Sequence, residues 1–163
     1  MISLKKILVP TDYSLPSQKA LRYAIELSKH FGGEVLMLHV VERPTLSPSF
    51  LTTGSAAEDL DAQVRAWAEG ELAKMVANEV PPNVKVKTLL RGGSAAHQII
   101  AIAKDQDADL VVMGTSGQGF LQHMLLGSVA EKVVRKAPCA VLTVRQEEKD
   151  FVVPWGEGGG PTM

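Results

Sequence analysis

Leu110-Val111-Val112-Met113-Gly114-Thr115-Ser116-Gly117, followed nine residues later by Gly127-Ser128, is the stretch that decides how this 163-residue chain reads. The apolar run is a buried strand, and Val129, Val133 and Ala137 beyond the frame have the spacing of a helix face. Glycines let backbone N–H groups come close to an anion, and the first turn of a helix offers unpaired donors at the positive end of its dipole. The frame predicts the phosphate-holding corner of an α/β fold, and with it a nucleotide.

Outward from the frame, the same alternation of strand and helix recurs. Ile7-Leu8-Val9, closed by Pro10, is a short buried strand; Ser14 and Pro16 then suit the start of a helix with Ala20, Ala24, Leu27 and Phe31 on one face, ended by Gly32-Gly33. Val35 to Val41 is a second buried strand. Residues 43–57, rich in Pro, Ser and Thr, form a long connection of the kind that is functional or disordered. A helix with Leu60, Val64, Ala68, Leu72 and Met75 on one face follows and stops at Pro81-Pro82. Val84, Val86, Thr88 and Leu90 alternate as a strand near a sheet edge. Gly92-Gly93 lead into a helix carrying Ala96, Ile99, Ile100 and Ala103; Pro138 stops the helix after the frame, and Ala140 to Val144 is the fifth strand. Strands separated by crossover helices predict one α/β domain, a five-stranded parallel sheet with helices on both faces.

Composition narrows the class. Lys and Arg number 17 against 18 Asp and Glu, so no whole-chain field recruits nucleic acid or an anionic membrane. Cys139 is the only cysteine and cannot form an internal disulfide, which fits a reducing compartment. The apolar run at the N-terminus is too short for a secretory leader, and no run approaches the ~18 apolar residues of a membrane span. These features predict a soluble, cytoplasmic protein with no nucleic-acid or membrane partner.

In an open parallel sheet ligands sit beyond the carboxyl ends of the strands, where the strand order reverses. With the order 3-2-1-4-5 that point lies between strands one and four. It brings Pro10-Thr11-Asp12 and Met113-Gly114 to one crevice from opposite halves of the chain.

With these residues placed, the chain resembles the universal stress protein family in its ATP-binding branch, over roughly residues 3–145. Gly114, Gly117, Gly127 and Ser128 match that family's Gly-x-x-Gly, nine residues, Gly-Ser/Thr signature, and Pro10-Thr11-Asp12 matches its turn after strand one. The resemblance implies a Rossmann-like fold of adenine-nucleotide α-hydrolase type. It also implies Thr11 and Asp12 on the ribose and adenine side, and Val40 contacting adenine through its backbone. Met113 and Gly114 would form the floor, and Gly117, Gly127, Ser128 and the N–H of Val129 would hold the phosphates. It further implies ATP, with Mg2+ or Mn2+ accompanying the triphosphate, and a homodimer paired along strand five, Val141-Leu142-Thr143-Val144. Family members usually end soon after strand five, whereas residues 146–163 continue here as a tail after a 1–145 domain.

Each residue also has a plainer reading. Ser128 is an ordinary helix cap, a phosphate ligand or both, and Asp12 a turn residue or a ligand. His123 lies inside the frame as a solvated loop residue or a phosphate neighbour, while His39 in its apolar strand reads as a hydrogen-bonded structural histidine. Cys139 reads as a small packed hydrophobe. The tail run Phe151 to Trp155 suits either a clamp on a partner subunit or a sticky free end. No Walker-type Gly-x4-Gly-Lys-Ser/Thr run and no recognisable metal-ligand spacing occur. The function expected is a regulatory module that holds ATP. The alternatives are a slow ATPase using the same pocket and a dimer that acts through its surface without nucleotide.

Overall fold

The computed structural model describes residues 1–42, 55–115, 126–147 and 149, with the backbone alone described over 55–59. Most of the 43–57 connection, Ser116, Gly117, His123 and all but the first residues of the tail lie outside the described residues.

The elements are β1 (Lys6–Pro10), α1 (Leu15–Phe31), β2 (Glu34–Val41), α2 (Ser55–Glu79), β3 (Lys85–Gly92), α3 (Ala95–Asp105), β4 (Leu110–Gly114), α4 (Ser128–Lys136) and β5 (Ala140–Val144). All four strand pairings are parallel, in the order β3-β2-β1-β4-β5 predicted from the sequence. The alternation of side chains across the sheet divides the core in two. Ile7, Val9, Val35, Met37 and Val112 pack with α1 and α2 on one face. Leu8, Leu36, Leu38, Val111 and Met113 pack with α3 and α4 on the other. The central strands are apolar on both faces because both are covered.

Three helix faces differ from the expected ones. On α1, Leu21 and Ile25 are buried with Ala20 and Ala24, while Leu27 and Phe31 are only partly so, because the helix packs across β1, β4 and β5 and buries a wider arc than one stripe. On α3, Ile102 is buried and Ile100 only partly. On α2, Ala68, Leu72 and Met75 are buried, but Leu60 is 60% and Val64 36% exposed. The 25-residue α2 is about 38 Å long, whereas the 8-residue β2 beneath it spans about 26 Å. The N-terminal part of the helix overhangs the sheet, and α2 already begins at Ser55, inside the expected 43–57 connection. The strand β3 is an edge strand as expected, with a modification: Leu89 is buried beneath α3 while Thr88 on the other face is exposed.

Candidate functional site

At the end of β1, Pro10 has no N–H to donate, and the parallel ladder continues through Thr11, whose N–H donates to the Leu38 carbonyl at 2.8 Å. The Thr11 hydroxyl is turned into the wall: it lies 3.1 Å from Ser17 Oγ, accepts from the Tyr13 N–H at 3.1 Å and contacts Met75 Sδ at 3.6 Å. Asp12 Oδ1 accepts from the N–H of Ser14 at 3.1 Å and from its hydroxyl, closing the turn into α1. Between them Tyr13 takes a left-handed backbone, φ 65°, uncommon for a residue with a side chain. Its ring is the reason it can persist. The phenol donates to the Ala68 carbonyl of α2 at 2.9 Å, and the ring lies 4.5 Å from that of His39 at an interplanar angle of 30°. Burial, with Glu71 nearby, raises the pKa of this phenol above its ordinary 10.0.

At the end of β2, His39 Nδ1 is 2.8 Å from the Thr11 carbonyl, so this histidine is hydrogen-bonded as expected from its place in the strand. Glu42, just past the strand, accepts the N–H of Ala95, the first residue of α3, at 2.8 Å. An acid at a helix N-terminus meets both the orphan donors and the dipole there.

At the end of β4, the reason for Gly114 is packing. A Cβ there would stand 2.8 Å from Pro16 Cβ and 3.0 Å from its carbonyl carbon, so the bare backbone is what lets β4 approach the start of α1. Thr115 then donates its N–H to the Val144 carbonyl at 3.0 Å, and Gly127 donates its own to the Thr115 carbonyl. The helix cap is Gly127, at φ −71° and ψ 159°, not Ser128, which is the first helical residue and exposed. That torsion is open to any residue, so a left-handed backbone does not explain the glycine. Glu131 makes the first intrahelical bond, to the Gly127 carbonyl at 2.9 Å, which leaves the N–H groups of Ser128, Val129 and Ala130 without intrahelical acceptors.

These three strand ends enclose a cleft of about 550 Å3. Pro10, Thr11, Asp12, Val40, Met113, Gly114, Gly127, Ser128 and Val129 all line it, so every expected site residue that the structure describes comes to this one place. Sequence reasoning missed Tyr13, Glu42, Val64, Trp67, Ala95 and Ile99, which also line it. Tyr13 follows the quoted turn directly, but nothing in sequence marks a residue on α2 as a wall of the same cleft. Among the described lining residues Asp12 and Glu42 are acidic and none is Lys or Arg. Cys139 lies outside the cleft, partly buried against the α3/α4 core, and burial raises the pKa of its thiol.

A parallel sheet in the order 3-2-1-4-5, clad on both faces and open in a cleft over the point where that order reverses, defines a Rossmann-like α/β domain. More particularly, the chain belongs to the universal stress protein family, whose model matches residues 3–145. It is 36% identical over 147 residues to the universal stress protein MJ0531 of Methanocaldococcus jannaschii, covering 90% of this chain and 85% of that one. The solved structure of the protein MJ0577 superposes with a TM-score of 0.78 at 28% identity, covering 91% of this chain and all of the other. A universal stress protein from Archaeoglobus fulgidus solved in complex with dAMP shares the fold, with a TM-score of 0.53 at 20% identity over 88% of this chain and 99% of its own. No helix of the described residues is long and apolar enough to cross a membrane.

Proposed function

We propose that this protein is a homodimeric regulatory module of the cytoplasm that holds an adenine nucleotide, ATP in the first place, in the cleft between β1 and β4. The observation that carries this reading is the meeting of Thr11-Asp12 with the N-terminus of α4 across one cleft. The N–H groups of Ser128, Val129 and Ala130, which have no intrahelical acceptors, supply donors of the kind that phosphate oxygens take, and the cleft is of the size of nucleotide and cofactor pockets. The fold neighbour solved with dAMP supports the nucleotide class. In this reading Asp12 and the Val40 backbone face the ribose and base, Met113 and Gly114 form the floor, and Gly117, Gly127, Ser128 and Val129 surround the phosphates.

The charge of the site fits a metal-bound triphosphate. Asp12 and Glu42 are the acidic residues of the described lining, no Lys or Arg stands among them, and residues 116–125 contain none either. Mg2+ or Mn2+ would offset part of the triphosphate charge, bound chiefly by phosphate oxygens and water rather than by a protein cage. The dimer would form along the open edge of β5, whose residues Val141, Leu142 and Thr143 are half-buried in the single chain.

The test is direct. Mass spectrometry of the small molecules released on denaturing freshly purified protein is expected to find an adenine nucleotide, and calorimetry on stripped protein to show saturable binding of Mg-ATP. Absence of binding to folded, stripped protein overturns the reading.

A further inference from the structure

The cleft has two chemically different ends. Backbone donors of α4 stand at the β4 end. At the β2 end, beside Glu42, the lining carries an aromatic and apolar wall, because α2 packs on β2 and β3 and brings Val64 and Trp67 there. Trp67 is 58% exposed, although Ala68 beside it and Leu72 one turn further are buried. An indole is costly to leave in water, yet this one is set in a fixed frame. Its ring lies edge-on to Tyr13, 5.8 Å away at 83°. Tyr13 is in turn held by Ala68 and stacked on His39, which is tied to the Thr11 carbonyl. Three rings therefore run in series from His39 of β2 through Tyr13 to Trp67 of α2, and Trp67 is the exposed one.

We infer that Trp67 is a specificity-determining residue that reads the base of the bound nucleotide. The inference rests on the nucleotide function proposed above. A nucleotide anchored by its phosphates at the start of α4 extends its base toward the β2 end, where the indole and Val64 offer an apolar surface. A bicyclic purine covers more of that surface than a pyrimidine does, so the wall favours purines. Base–aromatic contacts of this kind change affinity on the order of tenfold when the ring is removed. Sequence alone does not reveal this, since Trp67 sits between residues of the expected buried face.

The experiment uses the full, nucleotide-stripped chain carrying Trp155→Phe, which leaves Trp67 as the sole tryptophan of the two present. Mg-ATP is expected to change its emission saturably. Tripolyphosphate, which occupies only the donor end, is expected to bind without that change, and UTP to bind more weakly than ATP because its smaller base covers less of the indole. Trp67→Ala is expected to weaken ATP on the order of tenfold and to narrow the ATP/UTP ratio. It should leave tripolyphosphate affinity and the circular dichroism spectrum unchanged, while Trp67→Phe retains most of the ATP affinity. If ATP binds by calorimetry while Trp67 emission stays constant and Trp67→Ala binds equally well, the inference is overturned and the nucleotide function stands. An indole already shielded from acrylamide in the ligand-free protein overturns it too, since the chain itself then covers the wall. If neither ATP nor tripolyphosphate binds the folded wild-type protein, the nucleotide function fails and this inference with it.

Discussion

The phenol of Tyr13 donates a hydrogen bond of 2.9 Å to the carbonyl of Ala68, tying the residue after Asp12 to the middle of α2. The bond joins two of the elements that bound the cleft, and it holds in place a residue whose backbone is left-handed. Tyr13→Phe removes this bond and keeps the ring. It is expected to lower unfolding free energy by about 1 kcal/mol, read from the urea midpoint at unchanged slope.

The same phenol makes stability depend on alkaline pH. Its folded pKa is raised above 10.0 by burial and by Glu71, so the folded state holds the proton more tightly than the unfolded state does. The stabilisation is complete below about pH 10 and is lost as pH rises from there toward the folded value. Thermal melts at stepped pH should show Tm falling more steeply above pH 10 in the wild type than in Tyr13→Phe. Equal slopes would remove Tyr13 from the alkaline transition.

Gly114 and Ser128 should separate cleanly, although both belong to the same sequence frame. Gly114→Ala places a methyl 2.8 Å from Pro16 Cβ and is expected to cost about 1–3 kcal/mol of stability by forcing β4 from α1. Ser128→Ala removes an exposed hydroxyl that does not cap its helix, so its melting temperature should match the wild type. Any loss of Mg-ATP affinity in Ser128→Ala, read by calorimetry, then reports a ligand contact.

At Gly127 the torsion suits any residue, so Gly127→Val is expected to fold, with a circular dichroism spectrum like the wild type, and to lose nucleotide binding by crowding the approach to α4. Wild-type ATP affinity in this variant would take Gly127 out of the site.

The proposed dimer has its own test. Because Val144 directs its carbonyl to Thr115, alternate residues Val141 and Thr143 direct their backbone groups to the open edge of β5. Thr143→Pro removes an outward N–H and leaves the β4 ladder intact. Light scattering is expected to show a monomer for this variant and a dimer for the wild type.

Much of the fold was legible in the chain. The central strands are continuous apolar runs because both their faces are covered, and Gly32 ends α1 at φ 72° as its sequence position suggests. What misled was helix coverage. The α2 stripe Leu60, Val64, Ala68, Leu72, Met75 is regular in sequence, yet only its second half has sheet beneath it. Periodicity reports which residues share a face and not how far a neighbouring surface extends.

The site divides in the same way. Local sequence marked the turn Thr11-Asp12 and the corner Gly114 to Ser128, because tight turns and helix starts demand particular residues within a few positions of one another. The strand order joined those two segments into one cleft. The structure alone assigned Gly114 to packing against Pro16 and the helix cap to Gly127. It also placed Trp67 of α2 beside Tyr13 and His39. Such contacts depend on how close two elements lie and on how far one overhangs another. Those distances are set by the packing of the whole core, and no local pattern encodes them.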